Sequence, residues 1–396
     1  MKNNILKNIL VKDFRFKFLA FCLISSAIVV IPFNPYFYYA GLIYIFFYSV
    51  YNSRETFTKG KLFIYFIISC FLSSLIALIF DVRLIVFSLL LYSCTSITYS
   101  YKLLKFREKY LYYSLIIFPF ISIVSLYCYI NNINYFIPDK SIVSLDFSGL
   151  FPHPMWLGAA IGLSNVVLVW FLFKSKSFIY KLLLLLILIS SIYLSIAAAS
   201  RSAFVASLLA MLFLLFLKIR QIKKIFIYLM FISCFAYIAA PYYLSASKRM
   251  EEKFNNVDAG KYGSRTPIIN VGIKHFKENP ITGTGFAVSY SAEDKLVVGK
   301  MESGSGWLSI LFQTGTLGFI IICIIVYKTK AIFIYSKSDD KLKLFVSTFV
   351  FLSLHSLFEG YILTIGYYLG ILFWSLLGYF YTYIYYYSNK SSLRKS

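Results

Sequence analysis

The residues best able to do chemistry in this chain are two arginines, a glutamate and a His–Glu pair, all set in or beside apolar sequence. Arg201 lies in Ala199-Ser200-Arg201-Ser202-Ala203, among side chains small enough to leave room for a ligand. Arg265 lies in Tyr262-Gly263-Ser264-Arg265-Thr266-Pro267, with Thr266 placed to cap a helix and Pro267 to open it. A guanidinium is a planar fork that takes two phosphate oxygens at once, and a helix amino end adds a dipole favourable to an anion. The pair therefore suggests binding of a phosphate or diphosphate. Arg201 snorkelling to headgroups and Arg265 pairing with Asp258 or Glu251 are the plainer alternatives.

Proton acceptors are fewer. Glu302 stands beside Ser303-Gly304 just before an apolar run and is the first candidate for a general base, although a loop carboxylate can simply be solvated. His355 and Glu359 are four apart on one helical face. Ionisable groups at membrane depth suggest function, while a mutual pair stabilising the bundle is the alternative. His153 sits between Pro152 and Pro154 at the start of an apolar run, where it serves either substrate or packing. Trp307 heads another run and could stack on a sugar or anchor its helix at an interface. His275, between Lys274 and Lys277, is expected to be solvated.

These residues must be positioned by membrane helices. The chain is 60% hydrophobic with mean hydropathy +0.75, above the range of soluble domains. Apolar runs fall at about 18–31, 36–51, 62–80, 84–99, 111–130, 155–173, 178–198, 202–217, 225–244, 308–327, 344–358 and 365–387. Backbone groups cannot stay unpaired in lipid, and barrel-type alternation is missing, so the runs read as helices. The expected fold is an all-α polytopic membrane protein with about 12 transmembrane helices. It forms one integral membrane domain over 1–396, with a large extracytoplasmic loop at 245–306 containing short helices. In that loop Ile268, Val271, Ile273 and Phe276 give the helix after Arg265 an apolar face, and Asn279-Pro280 ends it.

The net charge of +23 would suggest nucleic acid in a soluble protein, but here the lysines and arginines cluster between apolar runs. With the amino end inside, the short basic connections at 218–224 and 328–343 all fall on the cytoplasmic side. Both termini are then cytoplasmic. From Arg201 to Lys218 is about 26 Å of helix against about 30 Å of hydrocarbon, so Arg201 is expected slightly below the outer surface. The six cysteines lie inside apolar runs without paired spacing, and neither they nor the three histidines suggest a metal or disulfide. No cleavage site follows the first apolar run, which is expected to remain as an anchor. Pro280-Ile281-Thr282-Gly283-Thr284-Gly285 is a turn cluster and not a phosphate-binding P-loop, because no Gly-Lys-Ser/Thr follows.

Ser200-Arg201-Ser202-Ala203, then Arg265 with Asn279-Pro280-x-x-Gly283-x-Gly285, then Trp307-Leu308 and Gly315-Thr316-Leu317-Gly318, resemble the O-antigen polymerase and ligase family in order and spacing. Gly149-Leu150-Phe151-Pro152-His153-Pro154 is also similar to a segment of that family. The resemblance implies metal-independent glycosyl transfer, without a cofactor, on the periplasmic face of a bacterial inner membrane. Donor and acceptor would be oligosaccharides on undecaprenyl diphosphate, a membrane lipid, with a chain-length regulator protein as a further partner the resemblance allows and no nucleic acid. Arg201 and Arg265 would hold the diphosphate leaving group, and Glu302 would act as base. Ligases of the family usually carry His-Asn where this chain has Gly304-Ser305. That departure favours an O-antigen polymerase, with a ligase transferring polymer to lipid A core as the alternative. A flippase for lipid-linked sugar is a more distant alternative, disfavoured because the span centres carry few charges.

Overall fold

A computed structural model describes residues 13–53, 55–56, 60–135, 147–219, 266–291, 293–299 and 304–392. Arg265, Glu302 and the expected span at 225–244 lie outside the described residues. The described chain is helical: α1 (Phe14–Ser25), α2 (Asn34–Asn52), α3 (Lys61–Ile76), α4 (Val82–Cys94), α5 (Tyr101–Ile130), α6 (Pro154–Lys174), α7 (Phe178–Ala197) and α8 (Arg201–Lys218). After the large loop's helix α9 (Thr266–Glu278) come α10 (Gly306–Lys328), α11 (Ile332–Ser336), α12 (Asp340–His355) and α13 (Tyr368–Ser392). Each expected apolar run within the described residues contains one of these helices. Among the described residues, five stretches are long and apolar enough by themselves to cross a membrane: α5, α6, α7, α8 and Gly306–Ser336.

Local sequence sets the boundaries. Asp81 caps α4 by accepting from the Arg83 amide at 2.8 Å, Ser100 caps α5 from Leu103, and Asp339 caps α12 from Lys341 and Leu342. α6 is the central helix. Every residue from Leu157 to Val169 is buried, and Trp170 is fully so. Its glycines let neighbours close in: a Cβ on Gly158 would stand 2.4 Å from the Ser200 Cβ, and one on Gly162 would stand 2.5 Å from the Phe351 ring. α8 and α12 thus pack closely on α6 and on each other.

The alternation of spans puts alternate connections on opposite faces, and the contacts obey it. At one end Val29 donates to Leu150, Phe147 to Ala197 and Gly306 to Ser356 (2.8 Å), joining connections that are far apart in sequence. At the other end Lys218 pairs with Asp340, Lys341 with Glu108, and Lys109 with Asp13. We call these the loop end and the basic end.

Two short strand pairs depart from the all-helical expectation. β1 (Glu55–Thr56) and β2 (Thr98–Tyr99) pair antiparallel at the basic end, next to the early stop of α4. The carbonyls around that stop meet Arg107, which is 1% exposed and donates to the carbonyls of Ser93, Thr95 (2.6 Å) and Thr98 and to the Thr98 and Thr382 hydroxyls. β3 (Val288–Tyr290) and β4 (Leu296–Val298) form a hairpin in the large loop.

Candidate functional site at the loop end

Arg201 is the first residue of α8 and is half-buried. It follows a turn in which Ala199 has φ +48°, a left-handed conformation that costs a non-glycine residue about 1 kcal/mol. The turn is held because Phe147 donates to Ala197, while Ser200, 4% exposed, packs on Gly158 of α6. A cation at a helix amino end faces an unfavourable dipole, which an anion bound there reverses.

Beside the first turn of α6, where α12 ends, is a small cavity of about 90 Å³, lined by Met155, Trp156, His355, Glu359, Gly360, Tyr361, Thr364 and Tyr367. The residues come from the first turn of α6, the last residue of α12 and the 356–367 connection. Sequence reasoning grouped His355 with Glu359 but not with Trp156, because α6 and α12 meet only in the fold. His355 is 1% exposed and lies between the rings of Phe351 (5.4 Å, 10°) and Tyr361 (5.5 Å, 27°). Trp156 packs on Tyr367 with centroids 4.5 Å apart. Burial pushes the Tyr361 phenol well above its usual range, so it stays protonated and donates a hydrogen bond to the Leu352 carbonyl. Glu359, half-buried, and His355 are the groups in this cavity able to accept a proton.

The connection bearing Glu359 is pinned on several sides. Gly306 donates to the carbonyls of Ser356 and Glu359 (3.0 Å), Trp374 to Ile362, and Tyr38 to Ile365. Ser305, which caps α10, also reaches the Ser356 carbonyl at 3.5 Å. The Gly304-Ser305 pair therefore lies against the segment leading to Glu359.

His153 and Trp307 are placed differently from the cavity residues. His153 caps α6, its Nδ1 accepting from the Met155 amide at 3.1 Å, and is exposed. Trp307 donates its indole N–H to the Ser353 carbonyl at 3.1 Å and packs edge-on to Phe373. Its polar atom is used to join α10 to α12.

The glycine motifs have a joint explanation. Gly315 has φ +66° and breaks α10; a Cβ there would stand 2.2 Å from the Ile281 carbonyl oxygen. Into that break fits the 280–285 turn. Thr284 donates to Phe312 and Gly285 to Gln313, while Thr316 donates back to Pro280 at 2.9 Å. Gln313 Oε1 accepts from Ala287, and Ser73 and Ser74 of α3 accept from Gly285 and Phe286. The two motifs are thus one docking joint, with every donor and acceptor named here satisfied inside the protein.

His275 corrects its expected solvation. Its side chain is 15% exposed, stacked on Tyr290 at 3.7 Å and held between Glu278 and Asp294. The folded hairpin brings Asp294 back over α9, which the linear neighbours Lys274 and Lys277 did not reveal. Lys274 also binds Asp294, and that bond first, then His275, holds the Asp294 carboxyl below its ordinary range. α9 in turn rests Gly272 on Phe312 of α10. Arg265 immediately precedes this anchored helix.

Fold and site together define an all-helical polytopic membrane protein whose described left-handed residues are gathered at one end. Residues 185–323 match the family model described as O-antigen ligase. This part of the chain is therefore similar to the O-antigen polymerase and ligase family, in agreement with the motifs. The matched stretch includes Arg201, α9 and the joint between the 280–285 turn and α10, and ends before His355 and Glu359. No curated protein matches the chain.

Proposed function

We propose that this protein is an O-antigen polymerase, which joins oligosaccharide repeat units carried on undecaprenyl diphosphate. The reading places the loop end at the periplasmic face of a bacterial inner membrane and the basic end, with both termini, in the cytoplasm. The observation that carries it is the gathering at the first turns of α6 of the Arg201 turn, through Ser200 on Gly158, and of the His355–Glu359 cavity, through Met155 and Trp156. A guanidinium thus stands by the same helix end as proton acceptors and aromatic rings, which suits a reaction with a diphosphate leaving group and a sugar nucleophile.

In that reaction a hydroxyl of one saccharide attacks the anomeric carbon of another. The bond to the diphosphate breaks and the charge left on its oxygens is met by Arg201, with Arg265 at the start of α9 in the same role. Donors preorganised for charge that develops late are worth more than those that bind the ground state. Gly304-Ser305 in place of His-Asn favours polymerase, whereas the matched family description favours ligase.

Gene deletion separates the two. A polymerase null leaves single repeat units on the lipid A core; a ligase null leaves the core bare and polymer on the carrier. The second pattern would overturn the polymerase reading. Arg201→Ala is expected to abolish polymer at normal protein level, and Arg201→Lys to restore little, because a point charge does not reproduce the fork. Long polymer from Arg201→Ala would remove the diphosphate role.

A further inference from the structure

We infer that the cavity between α6 and the 356–367 connection is a saccharide subsite, and that Glu359 is the base that takes the proton of the attacking hydroxyl. The inference rests on the reading of the chain as a glycosyltransferase and adds to it the place of the acceptor sugar.

The lining has the chemistry of sugar recognition. A pyranose presents apolar C–H faces and a rim of hydroxyls, and it suits a site of aromatic rings beside a few fixed polar groups. Trp156, Tyr361 and Tyr367 supply the rings, while Glu359 and Thr364 supply the polar groups. A volume of about 90 Å³ takes one hydroxyl-bearing edge of a sugar, with the remainder of the saccharide outside. Such a pocket reads the terminal residue of a growing chain and leaves its length unconstrained.

Of the two proton acceptors, geometry selects the carboxylate. His355 is 1% exposed and confined between two near-parallel rings, so it positions Tyr361 and the wall of the cavity. Glu359 is half-buried at the cavity, and its backbone carbonyl is fixed by the Gly306 amide. A base held by its own main chain loses little freedom when substrate arrives. In the step, the acceptor oxygen forms a bond to the anomeric carbon and its proton passes to the Glu359 carboxylate. The bond from that carbon to the diphosphate oxygen breaks, and the electron pair leaves with the diphosphate. No oxidant, reductant or metal enters the balance.

The test uses the full-length protein in detergent with lipid-linked repeat units extracted from the deletion strain as probe. Glu359→Gln is expected to slow elongation about 100-fold or more, while Glu359→Asp, which keeps the charge, retains part of the rate. Trp156→Ala is expected to raise KM for the acceptor more than it lowers kcat, and Trp156→Phe to recover most of the loss. Normal elongation by Glu359→Gln alongside an inactive Arg201→Ala would overturn the subsite and leave the polymerase reading intact. Normal elongation by both variants would overturn the subsite and the diphosphate role of Arg201, whereas no elongation by the wild-type protein would overturn the polymerase reading itself. If Glu359→Gln does not accumulate, equal loss in Glu359→Asp with unchanged KM in Trp156→Ala would equally sink the subsite.

Discussion

The two ends of this molecule are held by different physics. At the basic end, charges tie helices to one another: Asp13 before α1 to Lys109 of α5, Glu108 of α5 to Lys341 of α12, and Asp340 of α12 to Lys218 of α8. The backbone there is conventional. At the loop end the described ion pairs lie within a connection or within the large loop, such as Arg83 with Asp81 and Lys274 with Asp294. What joins that end is main-chain hydrogen bonding between turns. Among the described residues, all of the left-handed conformations, including those of Phe33, Leu78, Ala199 and Ala287, sit in its connections or at the joint with α10. Strain of this kind persists only where surrounding contacts enforce it, and it tends to collect at functional sites. The basic end is built to be stable, and the loop end to hold a fixed, costly shape.

Breaking the contrast from the basic end should have the largest effect. Arg107→Ala leaves the buried carbonyls of Thr95 and Thr98 without their donor, a loss of about 4 kcal/mol. The expected outcome is loss of folded protein, measured as its amount in the membrane and its melting temperature in detergent. Folded, active protein at wild-type level would mean that α4 ends there for another reason. From the loop end, Gly315→Ala sets a Cβ against the Ile281 carbonyl in a conformation reserved for glycine, at about 3 kcal/mol. Here the protein should remain in the membrane while the 279–299 segment loosens, visible as faster amide exchange confined to that segment.

Smaller changes sharpen the boundary between structure and chemistry. Trp307→Phe removes one hydrogen bond, to Ser353, at about 1 kcal/mol, and polymer formation should stay near normal. Activity lost out of proportion to stability would return Trp307 to the substrate. The smallest effect concerns pH. Because Lys274 and His275 lower the folded pKa of Asp294, the contribution of this carboxylate is present above the unfolded value of about 3.9. It is lost as pH falls through the lower folded value. Hairpin protection should therefore be flat through neutral pH and fall only in acid, and Asp294→Asn should abolish that dependence.

Much of this architecture was legible because the membrane restricts the choices. Apolar runs of span length must be helices, basic connections must alternate with the others, and Thr266-Pro267 and Asn279-Pro280 mark both ends of α9. The place of Arg201 after a short, small-residue turn between two spans was legible too. Other features depended on separations that no local pattern encodes. His275 met Asp294 only because a hairpin folds back over its helix, and the early end of α4 drew Arg107 from a different span. By itself the sequence determined the fold class, the separation of the charges to one end of the helices and the resemblance to a family, since these follow from hydropathy, charge order and motif order. Only the tertiary structure decided that the glycines of 283–285 and Gly315 form one joint, and that Trp156 shares a cavity with Glu359. Those partners lie tens to hundreds of residues apart, and the packing of α10 on α3 and of α6 on α12 is what brings them into contact.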